Sequence, residues 1–127
     1  MEKAYTVLVI EDNDDNRRLV LKILGHKGFN VVGAIDGKEA LERLRQGKPD
    51  LILMDINLPG MDGYELTRRI RKIPGFAELP IVALTAHAMV GDEGKSLAAG
   101  CNAYITKPIN VHNFPETIAA ILKENLS

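Results

Sequence analysis

The chain has little of several things that would each point to a class of protein. Its single cysteine, Cys101, excludes an internal disulfide. A lone thiol fits a reducing compartment and a role as a small buried apolar residue. Neither sign of charge dominates: the formal net charge is −1 and the pI is near 6.3. A nucleic-acid surface would normally show a basic excess, so that partner is not expected. No apolar stretch approaches the roughly 20 residues a membrane span requires. Met1-Glu2-Lys3-Ala4-Tyr5 leads straight into an apolar run, unlike a secretory leader. There is no Ser/Gly-rich linker, repeat or low-complexity block. One domain over residues 1–127, in the cytoplasm and without a membrane partner, is the expectation. Hydrophobic residues make up 46% of the sequence, enough for a full core.

Strand and helix patterns alternate from end to end. Leu51-Ile52-Leu53-Met54 is an unbroken apolar run that stops at Asp55, which reads as a strand buried on both faces. Val7-Leu8-Val9-Ile10 has the same character and stops at Glu11-Asp12. Further strands are predicted near 31–34, over Ile81–Thr85 and over Ala103–Thr106. Between them lie helical patterns. Leu19, Val20, Ile23 and Leu24 mark the first, over about 14–25, with Gly25 and Gly28 ending it. Asp36 with Glu39, then Asp62 with Glu65, form acidic capping boxes that open the next two. Ala40, Leu41 and Leu44 make one buried stripe; Leu66 and Ile70 make another. Gly47-Lys48-Pro49 and Pro74-Gly75 act as stops. Phe114, Ile118, Ile121 and Leu122 give the last helix its apolar face. Asn113 as its cap would put Pro115 in the first turn, where a missing N–H is harmless. A start at Asn110 would drive Pro115 into a carbonyl.

Five short strands separated by helices indicate an α/β doubly wound parallel sheet, a three-layer sandwich with strand order 2-1-3-4-5. In that order the first and third strands flank the switch point, where ligands bind outside the carboxyl ends. Those are the two strands that end in acids. Glu11, Asp12 and Asp55 would then crowd one edge, with Thr85 and Lys107 ending or following the fourth and fifth strands. Like charges so close oppose each other's ionisation unless a cation lies among them. Mg2+, hard and oxygen-seeking, is the natural candidate. A carboxylate beside it can attack phosphorus and form an acyl phosphate. Taken singly each residue has a plainer reading: Glu11-Asp12 as helix caps, Asp55 as a loop acid, Thr85 as a strand residue, Lys107 as a solvated lysine.

The stretches Val9-Ile10-Glu11-Asp12-Asn13, Asp50-Leu51-Ile52-Leu53-Met54-Asp55, Leu58-Pro59-Gly60-Met61-Asp62-Gly63, Ala83-Leu84-Thr85-Ala86 and Thr106-Lys107-Pro108 together resemble the response regulator receiver domain, the CheY-like module of two-component signalling with a flavodoxin-like fold. The resemblance covers nearly the whole chain. From Pro80 through Ile109 it is strongest to DivK-type single-domain regulators and to the receivers of hybrid histidine kinases. It implies that Asp55 is the phosphoacceptor, and that Glu11, Asp12 and Asp55, with the carbonyl of Asn57, hold Mg2+. It implies Thr85 as the switch hydroxyl, Tyr104 as the switch aromatic, Lys107 as the phosphoryl-pairing cation, and a cis bond at Lys107-Pro108. A histidine kinase or histidine phosphotransfer protein would dock beside the first helix. A downstream protein would read the surface of the fourth helix, fifth strand and fifth helix.

Two rivals remain in view. An aspartate-nucleophile phosphatase needs an acid two residues after the nucleophile, and Asn57 stands there. A pseudo-receiver would bind partners without being phosphorylated, a poor match to the complete set of acids with Thr85 and Lys107. The fourth helix is expected to be the weakest, because Gly91 and Gly94 fall in it and each costs about 1 kcal/mol against alanine. Arg68-Arg69 and Arg71-Lys72 are expected to form a solvated face. Asn57 and His87 occupy the positions that flank the hydrolytic water in the resembled family. His87 can change charge near neutral pH. His87→Ala is therefore expected to alter both the rate of acyl-phosphate loss and its pH profile between about pH 6 and 8; a rate and profile identical to wild type would count against this assignment.

Overall fold

The structure is a computed structural model that describes residues 4–85, 92–106 and 109–126. Five parallel strands, β1 (Thr6–Ile10), β2 (Asn30–Ala34), β3 (Leu51–Asp55), β4 (Ile81–Thr85) and β5 (Ala103–Thr106), form one sheet in the order β2-β1-β3-β4-β5. Helices α1 (Asp14–His26), α2 (Gly37–Gln46), α3 (Gly63–Arg71), α4 (Asp92–Ala99) and α5 (Phe114–Leu126) alternate with them. The fold class and strand order are those expected from the sequence.

Alternation along each strand splits the core in two. Leu8, Ile10, Ile52, Met54, Ile81 and Ala83 face a cluster completed by Ala40, Leu44, Leu66 and Ile70 of α2 and α3. Val7, Val9, Leu51, Leu53, Val82 and Leu84 face a second cluster closed by Val20 and Leu24 of α1 and by Phe114, Ile118 and Leu122 of α5. Every residue of β3 and β4 is buried, which is why these strands read as continuous apolar runs. Leu19 departs from the expected stripe. It is 47% exposed, because the face of α1 laid on the sheet runs through Val20 and Leu24, and Leu19 points off it. The helix also runs to His26, one residue past the expected end, and Gly28 follows with φ +93°.

The caps follow the sequence. Asp36 Oδ1 accepts from Glu39 N, and Asp62 Oδ1 accepts from Glu65 N. Helix α5 begins at Phe114, so Pro115 lies in its first turn. Of the segment expected to be weakest, 89–96, the part from Asp92 lies in α4 (Asp92–Ala99) with Gly94, while 89–91, with Gly91, lies outside the described residues. No helix among the described residues is long and apolar enough to cross a membrane.

Arg71 corrects one expectation. Arg68 and Arg69 are exposed and pair with Glu65, holding its carboxyl below the usual range, but Arg71 is half-buried. It ends α3, where the following loop turns its carbonyls inward. Its guanidinium donates to Phe76 O (2.9 Å), Leu79 O (2.6 Å), Gly100 O (2.7 and 3.0 Å) and Asn102 Oδ1 (2.8 Å). Burial lowers its pKa from the ordinary value, yet arginine stays charged. Gly100, at φ +114°, leaves room for the Arg71 stem, since a Cβ there would lie 3.1 Å from Arg71 Cγ. Arg71 thus fastens the C-terminal end of α4 and the start of β5 to α3. Arg71→Met is expected to destabilise the fold by about 2–3 kcal/mol in urea denaturation, because several carbonyls lose a charged donor. Arg71→Lys should recover less than half, since an ammonium cannot span the same acceptors.

Candidate functional site

The ends of β1 and β3 place the acids. The two strands pair from Val7 with Leu51 to Ile10 with Met54, so Glu11 and Asp55 leave the ladder at the same level. Asn13, not Glu11 or Asp12, is the N-cap of α1: its Oδ1 accepts from Asn16 N at 2.9 Å. The N-cap role suggested for the two acids thus belongs to Asn13, whose own N–H donates to Glu11 Oε2 at 3.4 Å. One carboxylate oxygen from each of Glu11, Asp12 and Asp55 lies within 4.8 Å of the others. Glu11 is 2% and Asp55 5% exposed, while Asp12 faces solvent. This donor set, three hard anionic oxygens at one edge, fits a hard divalent cation and no soft one.

The loop after β3 is shaped around Asp55. Asn57 N donates to Asp55 Oδ1 at 3.0 Å, an Asx-type turn that fixes the carboxylate's orientation. Gly63 N donates to Ile56 O at 2.8 Å and closes the loop. The approach is so close that a Cβ on Gly63 would meet Ile56 Cα at 2.8 Å and Asp55 O at 3.0 Å. The sequence reading passed over this role. Its signal was a glycine at the first position of a helix, straight after an aspartate cap.

Thr85 ends β4 one residue beyond Leu84, the register partner of Asp55, and is 7% exposed. It belongs to the sheet face that carries Ala83. Tyr104, beside Ala83 in register, is half-buried and packs on that face. Thr85 and Tyr104 therefore share one side of the sheet, two residues apart along it. Beside Tyr104 lies a cavity of about 260 Å3 lined also by Ser96, Leu97 and Asn102. Asn57 is exposed at the rim. Lys107, Pro108 and His87 lie outside the described residues.

On α1, Asp14 pairs with Arg17, whose guanidinium holds the Asp14 carboxyl below its ordinary pKa. Cys101 is buried against Thr67, and burial pushes its thiol pKa up, which suits the packing role expected of it.

A doubly wound parallel sheet with an acidic rim at its switch point defines an α/β domain whose ligand site, at the carboxyl ends of β1 and β3, suits a hard cation. Comparison with known proteins narrows the class. Residues 7–119 match the model of the response regulator receiver domain. The polar-differentiation response regulator DivK of Brucella anthropi is 41% identical over 117 residues, which span 92% of this chain and 95% of that protein. The chemotaxis response regulator CheY4 of Vibrio cholerae superimposes with a TM-score of 0.89 at 28% identity, over 94% of this chain and 99% of that one. The signal receiver domain of a signal transduction histidine kinase from Syntrophus aciditrophicus gives a TM-score of 0.86 at 30% identity, over 95% and 92%. The chain belongs to the response regulator receiver domain family of two-component signalling. Domains of this family are phosphoacceptors rather than turnover enzymes, work with Mg2+ at an acidic cluster, and act with histidine kinases and downstream targets.

Gly63→Ala is expected to push α3 away from the Asp55–Ile56 backbone and to cost about 1–3 kcal/mol by overpacking. Denaturant titration measures the loss; a variant as stable as wild type would mean that the close approach relaxes freely.

Proposed function

We propose that Asp55 is the phosphoacceptor of a single receiver domain formed by residues 1–127. Glu11, Asp12 and Asp55, with the carbonyl of Asn57, would hold the cation. The observation that carries this reading is the meeting of three carboxylate oxygens within 4.8 Å at the edge where Asp55 leaves the sheet. When bound, Mg2+ supplies positive charge that lowers the repulsion between the carboxylate and an incoming phosphoryl group.

The chain's own residues do the rest. An Asp55 oxygen attacks phosphorus of a phosphohistidine, the N–P bond breaks as the O–P bond forms, and the imidazole leaves with the electron pair and takes up a proton. A small phosphodonor serves in the same way, which makes the domain capable of phosphorylating itself. Water later cleaves the acyl phosphate and returns inorganic phosphate, with Asn57 and His87 setting the rate. The Asn57 N–H to Asp55 bond keeps the nucleophile aimed. Thr85 donates its hydroxyl to the phosphoryl oxygens and Lys107 pairs with their charge. As Thr85 is drawn towards the rim, Tyr104 follows on the same face, with the neighbouring cavity as room for its ring. The donor kinase or phosphotransfer protein docks on α1, where Leu19 is exposed. A downstream protein in the cytoplasm reads α4, β5 and α5, where Leu97 of α4 and Val111 of the turn before α5 are exposed.

Treatment with a small phosphodonor tests the reading. Expected is a Mg2+-dependent, hydroxylamine-labile label that is lost in Asp55→Asn. An absent label would favour a pseudo-receiver, and rapid turnover of the donor would favour an enzyme.

A further inference from the structure

Strand β1 ends at Ile10; the Glu11 N–H makes one last bond to β2, and the Glu11 carbonyl beyond it takes its partner from elsewhere. Glu11 N donates to Ala34 O at 3.0 Å. Glu11 O accepts from Arg17 Nη1 at 2.9 Å. Arg17 lies in the second turn of α1 and must reach back over β2 to make that bond. Gly33 leaves the path open: a Cβ there would lie 3.3 Å from Arg17 Cδ and 3.7 Å from its Cγ. The side chain is only 15% exposed along this path. Its second arm, Nη2, is held by Asp14. One planar fork therefore ties the backbone between two metal-site candidates to the first turn of the helix that follows them.

We propose that Arg17 is a positioning residue for the cation site, fixing the Glu11–Asp12 peptide and through it the aim of both carboxylates. The inference rests on the reading that Glu11, Asp12 and Asp55 take Mg2+. Geometry rather than charge is the operative property, because Asp14 offsets the guanidinium locally and the contact to Glu11 is with a backbone carbonyl. A lysine at 17 would keep the charge and lose the fork. Gly33 belongs to the same device. Sequence pattern gave no hint of either, since Arg17 looks like one more solvated arginine and Gly33 like a weak point in an edge strand.

Mg2+ titration of the full chain by calorimetry tests this, with urea denaturation in EDTA as a separate readout of folding. Arg17→Lys and Arg17→Gln are each expected to weaken Mg2+ binding by about tenfold. Gly33→Ala, which crowds the stem without touching an acid, should weaken it in the same direction by less. Wild-type affinity in Arg17→Lys would overturn the geometric role in favour of charge. Wild-type affinity in all three would overturn any role, as would a loss of metal-free stability with the affinity of the folded chain unchanged. If Arg17→Gln does not fold, the lysine variant and Gly33→Ala decide between them. Failure of the wild-type chain to take up Mg2+ would overturn the site reading and this inference with it, whereas normal uptake that the variants leave unaltered sinks the Arg17 role alone.

Discussion

Like charges a few ångströms apart repel, by roughly 3 kcal/mol per pair at 5 Å and an effective dielectric near 20. This domain brings three carboxylates to one edge in spite of that, and two of them are buried. What holds them there is the rigidity beneath. Strands β1 and β3 are fixed by ladder hydrogen bonds and by side chains packed on both faces, so the residues that follow cannot drift apart without breaking the sheet. The repulsion then has one cheap outlet, a cation or a cationic side chain at the rim. A site so balanced is sensitive to any change of charge nearby, which is the property a phosphorylation switch needs.

The surroundings of that edge are held at specific points. Gly63 lets α3 start against the Asp55–Ile56 backbone, and the Asn57 N–H orients the Asp55 carboxylate. Arg17, passing close to Gly33, donates to the Glu11 carbonyl between the other two acids. At the far end of α3, Arg71 fastens the C-terminal end of α4 to the turn before β4 and the start of β5. Thr85 and Tyr104 lie on a single face of the sheet, on neighbouring strands.

Much of this was legible beforehand, for reasons particular residues make plain. Leu51 through Met54 and Val7 through Ile10 could be read as buried strands because burial on both faces removes polar residues from both alternations. Asp36 and Asp62 could be read as caps because the pattern of a cap is local, three residues long. Pro115 fixed the start of the last helix for an equally local reason. Leu19 misled because apolar character marks a helical stripe without saying which neighbour will cover it. Arg71 misled because its acceptors come from 76, 79, 100 and 102, positions with no sequence periodicity linking them to the helix.

The sequence by itself determined the elements, their order, the parallel sheet and the positions at which acids end strands, because hydrophobic alternation, caps and breakers act over a few residues. Tertiary structure alone decided that Glu11 and Asp12 meet Asp55 at one edge. It alone decided where Arg17 and Arg71 reach, and which glycines are needed for close approach. Those outcomes depend on distances between segments far apart in the chain, and such distances are set only when the sheet and its two layers of helices close on each other.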